Sequence, residues 1–295
     1  MKRFTTLAIF IALVTITFAQ THMYVWKNGV KTNYVISEVD SITFGDEKGI
    51  GVFSVGENKK VAFSTGNLQH NPKRNEWRFA ESQLDYIGDA NSNISHNYDG
   101  WIDLFGWSTD GNPETQFGVS TSINDRDYAG TFVDWGTNKI SGDKPNTWRT
   151  LHSTEWEYLW RYRPNANNLI GIAQVKGVNG LVILPDNWIT PNDIIFTPGI
   201  HSEWGLDFSI YQSFTIIQWQ EMESIGAVFI PAAGGRNGDY IQSVQSWGTY
   251  YTATGNGNNG EWAFYFYFNV ANWGIGTDGS DDGLSVRLVK DIVTE

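Results

Sequence analysis

Short apolar runs bounded by Gly, Pro, Asn and Asp recur along the chain and predict β-strands joined by turns. Residues 181–184 form one such run, which ends at Pro185, and residues 227–230 form another, which ends at Pro231. Further strands are predicted at residues 61–64, 77–79, 263–268 and 284–289. Residues 85–146 instead predict a long polar loop that contains spaced aromatic residues. We expect these rings to pack against one another and so to hold the loop in a fixed conformation.

Two segments have the start and stop signals of helices. In the first, Thr154 is the predicted N-cap and Glu157 the capping-box partner. This helix is predicted to continue through Tyr162 and to stop before Pro164.

The second predicted helix begins at Thr215, with Gln218 as the capping-box partner, and ends at Gly226. Its apolar face is predicted to consist of Trp219, Met222 and Ile225. Two helices among short antiparallel strands and long loops predict an α+β fold.

The N-terminus has the pattern of an export signal. Lys2 and Arg3 precede a mostly apolar run at residues 7–18. Thr17 and Ala19 are the small residues expected just before a signal-peptide cleavage site, which would lie between Ala19 and Gln20. We therefore predict a signal peptide at residues 1–19 and an exported chain, extracellular or on the outer surface, with the periplasm as the alternative. The apolar run is shorter than the roughly 20 residues that span a bilayer, so a membrane anchor is disfavoured and no span is expected in the mature chain.

Residues 20–46 predict a separate short β unit. Residues 23–26 and 34–36 flank a turn at residues 27–29, and residues 41–44 are also extended. A unit this small is expected to pack on the main body or on a neighbour. Residues 45–51 form a charged linker, and residues 52–290 form the main domain.

The amino-acid composition limits the partners and the chemical functions that the chain can have. The net charge of −12 makes a nucleic-acid partner unfavourable, because an acidic chain repels phosphates. The absence of cysteine excludes disulfides, thiolate metal sites and cysteine nucleophiles. Aromatic residues make up 15% of the chain, which supplies both a large core and material for a contact surface.

Five segments together resemble a known fold. They are WRTL at 148–151, EWEYL at 155–159, GLVILP at 180–185, VFIPAAGGR at 228–236 and GLSVRLV at 283–289. Over residues 60–290 the chain resembles the C-type-lectin-like fold. The most similar branch includes the formylglycine-generating (sulfatase-modifying) enzymes, the variable proteins of diversity-generating retroelements and the Fibrobacter-type major paralogous domain. Residues 23–44, ending in DSITF, resemble the N-terminal unit of exported Bacteroidetes proteins.

The resemblance implies that the terminal strands of the domain lie together and that a ligand face precedes the last strand. It also implies a structural role for Arg287. Formylglycine-generating enzymes need a cysteine pair that this chain lacks. Related iron enzymes use a histidine triad, and the five histidines here have no close spacing. They are His22, His70, His96, His152 and His201.

Calcium is considered because many C-type lectins bind it. Residues 89–93 alternate oxygen-bearing side chains, and Asp278, Asp281 and Asp282 form a denser acidic turn. The sugar-binding motifs of calcium-dependent lectins are absent. A solvated acidic turn is therefore favoured, with calcium possible and no other cofactor expected. Asp99 and Asp103, on either side of Trp101, could line a sugar site, although loop-capping aspartates are the favoured interpretation.

These observations favour a non-catalytic recognition protein that binds a glycan or a protein ligand through its C-terminal loops. The alternatives are a metal-dependent enzyme on the same fold and a structural subunit of a surface assembly. In residues 262–268 the side chains that point to either face are all apolar or aromatic, so we expect both faces of this strand to be covered. The predicted ligand-binding residues are Tyr240, Trp247, Tyr250, Tyr251, Asn269, Asn272, Trp273 and Asp278.

Overall fold

The computed structural model describes residues 22–27, 30–36, 49–200, 207–257 and 259–292. The chain divides into two compact units, Met1–Asp46 and Glu47–Glu295. The predicted signal peptide, the predicted turn residues 28–29 and the predicted strand at 41–44 lie outside the described residues.

The smaller unit contains an antiparallel hairpin of β1 (His22–Lys27) and β2 (Val30–Val35). His22 lies opposite Val35 at its open end. The second strand therefore starts earlier than the predicted residue 34. Most of β2 is exposed, and a lone two-stranded hairpin is at best marginally stable in water.

The larger unit is a mixed α+β structure, rich in short strands and with few helices. Its first strands are β3 (Phe53–Gly56), β4 (Lys59–Phe63), β5 (Leu68–Asn71), β6 (Glu76–Phe79), β7 (Arg149–Thr150), β8 (Ile170–Val175) and β9 (Val178–Ile183). The remaining strands are β10 (Ser213–Phe214), β11 (Val228–Pro231), β12 (Gly235–Asn237), β13 (Tyr240–Gln242), β14 (Gly248–Asn256), β15 (Trp262–Phe268), β16 (Trp273–Gly279) and β17 (Leu288–Ile292). No helix among the described residues is long and apolar enough to cross a bilayer.

Helix α1 (Ser153–Glu157) begins two residues earlier than predicted. Its N-cap is His152, whose backbone N–H donates to Oε2 of Glu155 at 2.8 Å. The predicted cap Thr154 therefore lies inside the helix, and Glu157 is not the box partner. A π-helical turn follows at Tyr158–Tyr162, and the chain becomes extended at Arg163, so the predicted end before a proline is confirmed.

Helix α3 (Ile216–Ser224) follows the second predicted pattern only in part, and a short helix, α2 (Phe208–Tyr211), precedes it. The Thr215 cap of α3 is confirmed, because its Oγ1 accepts the N–H of Gln218 and its own N–H donates to that side chain. Trp219 and Met222 are buried as predicted. Ile225 is 43% exposed, so its assignment to the apolar face is wrong. The short helix α2 has no counterpart among the predicted elements.

The first two strands and the last strand of the larger unit share one sheet, in the order β3-β4-β17-β7, in which β17 pairs with β4. Val289 lies opposite both Phe63 and Arg149 in this sheet. A second sheet has the order β10-β8-β9-β11 and is buried through most of β8, β9 and β11. Ring contacts such as Trp219 with Phe229, at 5.5 Å, join α3 to this sheet.

The predicted strand at residues 284–289 is only partly a strand. Leu284 and Ser285 make single bridges with Phe105 and Tyr250 before β17 begins. Arg287, next to them, is buried, and its guanidinium donates to Oε1 of Gln83 at 2.8 Å and to Oδ1 of Asn67 at 3.3 Å. The expected structural role of Arg287 is thereby confirmed.

The long loop at residues 85–146 is packed by its own rings, as predicted. Trp107, Tyr128 and Trp135 are buried within it. Trp135 stacks near Tyr251 with ring centroids 6.2 Å apart, so the loop shares a core with β14. This packing holds the loop beside the C-terminal strands.

Candidate functional site

Strand β15 is the centre of a three-stranded antiparallel sheet with β14 and β16. Side chains alternate between the two faces of a strand. On one face, Phe266 and Phe268 are buried, and Phe266 stacks on Trp156 at 4.5 Å. On the other face, Tyr265 and Tyr267 are half-buried. The expectation that both faces are covered is therefore wrong for the tyrosine face.

Two glycines of β16 make room for these tyrosines. Tyr265 lies opposite Gly276, and Tyr267 lies opposite Gly274. A Cβ at Gly276 would lie 2.7 Å from Cζ of Tyr265, closer than side chains tolerate. The rings thus lie across the glycine strand. Trp247, at 5.9 Å from the Tyr267 ring, extends the group. We call Trp247, Tyr265 and Tyr267 the aromatic face.

A cavity of about 140 Å³ borders the aromatic face. Its lining residues include Arg236, Gln242, Trp247, Tyr265, Asp278 and Asp282. Aromatic rings next to a few convergent polar groups are the usual composition of a ligand site. The carboxylates, the amide and the tyrosine hydroxyl can exchange hydrogen bonds with a polar ligand, while the rings provide contact area.

The carboxylates at this cavity are crowded. Burial, and then the neighbouring Asp278 carboxylate, raise the pKa of Asp282 to about 6. Asp281 does not line the cavity, but burial and the nearby Asp125 carboxylate likewise raise its pKa to about 7. Both shifts have the same physical origin, since desolvation and like charge disfavour the ionised form. Donors or positive charge would therefore be favoured ligands here.

Arg236 lies at the base of the cavity and is almost fully buried. One of its Nη1 hydrogens is donated to the carbonyl of Gly238. Among the described atoms, its Nε and Nη2 have no hydrogen-bond partner. Burial lowers the pKa of Arg236, and the tyrosines Tyr128 and Tyr251 oppose that shift. Arg236 thus supplies a fixed positive charge below the carboxylates.

Three predicted ligand-binding residues are buried, and their assignment to the contact surface is corrected. The Tyr250 hydroxyl donates to the carbonyl of Pro231 at 2.7 Å, and the Tyr251 hydroxyl donates to the carbonyl of Asp282 at 2.6 Å. Oδ1 of Asn269 accepts backbone N–H groups in the turn between β15 and β16. All three side chains hold the framework below the site.

The other predicted residues are divided between the two faces of the sheet. Trp247 and Asp278 line the cavity, and the exposed Asn272 donates to the Tyr267 hydroxyl at 3.2 Å. Trp273 instead lines a groove of about 420 Å³ on the opposite face. Tyr240 is 67% exposed and does not line the cavity. The predicted set is therefore brought together only in part.

The groove on the opposite face lies between α1 with its π-helical turn and the strands β15 and β16. Its lining residues include Glu157, Trp160, Arg161, Phe264, Trp273 and Ile275. Glu157 and Arg161 form an ion pair of 3.0 Å beside the rings. The groove thus combines ring surface with an ion pair and the hydroxyl groups of Ser153 and Thr154.

No calcium-like cluster is present among the described residues, where no group of three His, Asp or Glu side chains is arranged to hold a metal. Residues 89–93 belong to a 3-10 helical turn, Gly88–Asn93, held by bonds such as Asn91 Nδ2 to the Gly88 carbonyl. Asp103 is buried and accepts from Asn91 at 2.9 Å, which supports the loop-capping interpretation. Asp99 pairs with Lys73 at 3.1 Å on the surface.

The histidines that the structure describes have separate local roles. His70 is buried and stacks on Trp77 at 3.8 Å. His96 bonds to the carbonyl of Glu114 at 2.9 Å, and His152 is the cap of α1. His201 lies outside the described residues.

The residues predicted from the sequence to bind a ligand do not include Tyr265, Tyr267, Arg236 or Trp160. A signal for the two tyrosines exists in the pairing partner, because WGIG at residues 273–276 places a glycine beside each ring. Arg236 and Trp160 had no such signal, since their neighbours come from distant segments.

The chain was compared with known proteins through family models, curated proteins and solved structures. None of them matches it.

Proposed function

We propose that this chain is an exported, non-catalytic recognition protein whose larger unit has a C-type-lectin-like fold. Support for the fold comes from the pairing of β4 with β17, which places the N-terminal and C-terminal strands of the larger unit in one sheet. Further support comes from the small helical content and from the long, internally packed loop before β7. Support for export comes from the charged start, apolar run and small residues at positions 1–19.

The observation that carries the proposed function is the aromatic face beside a polar cavity. Trp247, Tyr265 and Tyr267 expose ring surface that the core does not need, because Phe266 and Phe268 fill the core from the other side of β15. Large rings with polar tips are favoured in recognition surfaces, since they contribute contact area at a small entropic cost.

The ligand is a glycan or a protein. Both present C–H surfaces that stack on rings and donors that bind carboxylates such as Asp278 and Asp282. A nucleic acid is disfavoured, because its phosphates would approach an acidic cavity on a chain of net charge −12.

The test is binding of the purified full-length mature protein to a glycan array and to a panel of extracellular proteins. For any ligand found, Trp247→Ala is expected to weaken binding by about tenfold or more, because it removes an anchor ring next to the cavity. Trp262→Ala is the matched control, since Trp262 is 45% exposed but lies on the opposite face of β15. Equal effects of the two substitutions, or no effect of either, would contradict the proposal.

A further inference from the structure

Strand β16 is an edge strand with an open side. Its partner β15 pairs with it continuously from Trp273 to Gly279. Among the described residues, none outside β15 makes a backbone hydrogen bond to residues 273–278. In an antiparallel pair every second residue directs its N–H and C=O away from the partner. A row of backbone donors and acceptors therefore points outward along β16.

The other edge of the same sheet is occupied. In β14 the N–H of Tyr251 donates to Ser285 at 3.0 Å, and the N–H of Ala253 donates to Leu151 at 2.9 Å. The register of β14 is also broken between Tyr251 and Gly255. Strand β16 lacks most of the usual protections of an edge, since WGIGTDG contains no lysine, no proline and no bulge against β15, and Asp278 is its one charged residue.

Both faces of β16 border a recess. Side chains on one face, including Asp278, share the cavity with Tyr265 and Asp282. Side chains on the other face, including Trp273 and Ile275, line the groove with Trp160. A strand added to β16 would send alternate side chains toward these two recesses, because the side-chain period of a strand is two residues.

The two recesses differ in chemistry. The cavity side has the carboxylates Asp278 and Asp282, which outnumber the buried guanidinium of Arg236 and so favour a positive group, and the Tyr265 ring, which can contact a cation. The groove side includes the rings of Trp160, Phe264 and Trp273, which provide contact surface for apolar groups among polar side chains. The recesses therefore suit different residues at alternate positions of one strand.

We propose that β16 binds a protein partner by strand addition, and that the partner segment is extended and alternates basic with apolar side chains. This inference rests on the proposed function and specifies its ligand. Backbone hydrogen bonds along residues 273–278 provide affinity, and the two recesses select the side chains. The basic residues contact Asp278 and Asp282, and the apolar residues enter the groove beside Trp273.

The test uses a peptide of about ten residues, the length of a long strand, which alternates lysine and valine and has blocked ends. Binding to the full-length mature protein is measured by calorimetry, and amide hydrogen exchange is followed along β16. We expect slower exchange at residues 273–278 and binding that is lost when alternate peptide nitrogens are methylated. N-methylation removes the donors that a strand needs while keeping charge and most apolar surface.

Two protein variants test whether the effect of a charge change on peptide binding depends on its position in the protein. Asp278→Lys is expected to weaken peptide binding by about tenfold or more, because it places a positive charge where the lysines bind. Glu57→Lys makes the same charge change at an exposed hairpin turn and is expected to have little effect.

Equal binding of the methylated and unmethylated peptides, or equal effects of the two lysine substitutions, would overturn strand addition. Absence of peptide binding would also overturn it. If another ligand then binds in a Trp247-dependent way, the proposed recognition function remains and only the strand-addition inference fails. If no ligand depends on Trp247, the proposed function fails as well.

Discussion

At the scale of single residues, burial decides which polar groups are available for binding. Tyr250 and Asp103 are surrounded by protein and bond to it, whereas Asp278 and Asn272 remain at the surface. The same desolvation that withdraws a group from solvent also shifts its pKa. His70 is the clearest case, because burial lowers its pKa to about 4 while its bond to Asn75 partly opposes the shift.

His70 should make the protein less stable in mild acid. In the folded state its pKa is about 4, and its reference value is 6.5. The unfolded chain therefore binds a proton more readily between these values, so stability falls as the pH decreases through that window. The loss is on the order of 3 kcal/mol by pH 4. In His70→Phe, which keeps a ring on Trp77, this part of the pH dependence should disappear.

The measurement is urea unfolding of both proteins across the same pH window. Asp103, Asp281 and Asp282 have raised pKa values, so they make the protein less stable as the pH increases through the acidic range. They are present in both proteins and cancel in the difference. His22→Gln, at an exposed histidine of the smaller unit, serves as the control. Parallel pH profiles for the wild type and His70→Phe would show that His70 does not titrate as argued.

At the scale of elements, caps and pairing partners explain both the confirmed and the corrected boundaries. Helix α3 begins where its own side chains satisfy its first N–H groups. Helix α1 is capped at His152, because the Glu155 carboxylate accepts the His152 N–H and is itself held by the guanidinium of Arg149 at 2.8 Å. Strand β16 shows the same dependence on neighbours, since Gly274 and Gly276 accommodate rings from β15.

Thr215→Ala should destabilise the protein by about 1 kcal/mol, the usual cost of removing an N-cap oxygen. Oγ1 of Thr215 accepts the N–H of Gln218, which would otherwise have no partner within the helix. The change is measured by chemical unfolding, with Thr121→Ala at an exposed loop position as the matched control. Equal stabilities of the two variants would show that the cap is not significant.

At the scale of the larger unit, a few long-range contacts connect the closing strand to the rest of the domain. Arg287 precedes β17 in the chain and bonds to Asn67 and Gln83, which are more than two hundred residues away in sequence. Gln83 in turn accepts the N–H of Phe229 at 2.8 Å and donates to the carbonyl of Ala227 at 3.2 Å. This network connects the segment that leads into β17, in the sheet β3-β4-β17-β7, to the strand β11.

Arg287→Met should destabilise the larger unit by about 2–4 kcal/mol, because it leaves buried hydrogen-bonding groups without a partner. The loss is measured by thermal and urea unfolding monitored by tryptophan fluorescence. Arg74→Met is the matched control, since the Arg74 side chain is 47% exposed and its ion pairs lie at the surface. A similar small loss in both variants would exclude a structural role for the Arg287 network.

The sequence by itself determined the features that depend on near neighbours along the chain. These are the capped start of α3, the stop of the first helix before Pro164, the prolines that end strands and the mixed α+β class. Capping bonds and proline geometry act within a few residues, so a local pattern is enough to identify them.

The tertiary structure alone decided which aromatic residues reach the surface. Tyr250 and Tyr265 lie on neighbouring strands with similar local sequence, yet the first is buried and the second lines the cavity. A strand has two equivalent faces, and the elements that cover one of them, here Trp156 of α1, are distant in sequence. The open edge of β16 was decided in the same way, because it depends on which segments come to lie beside it.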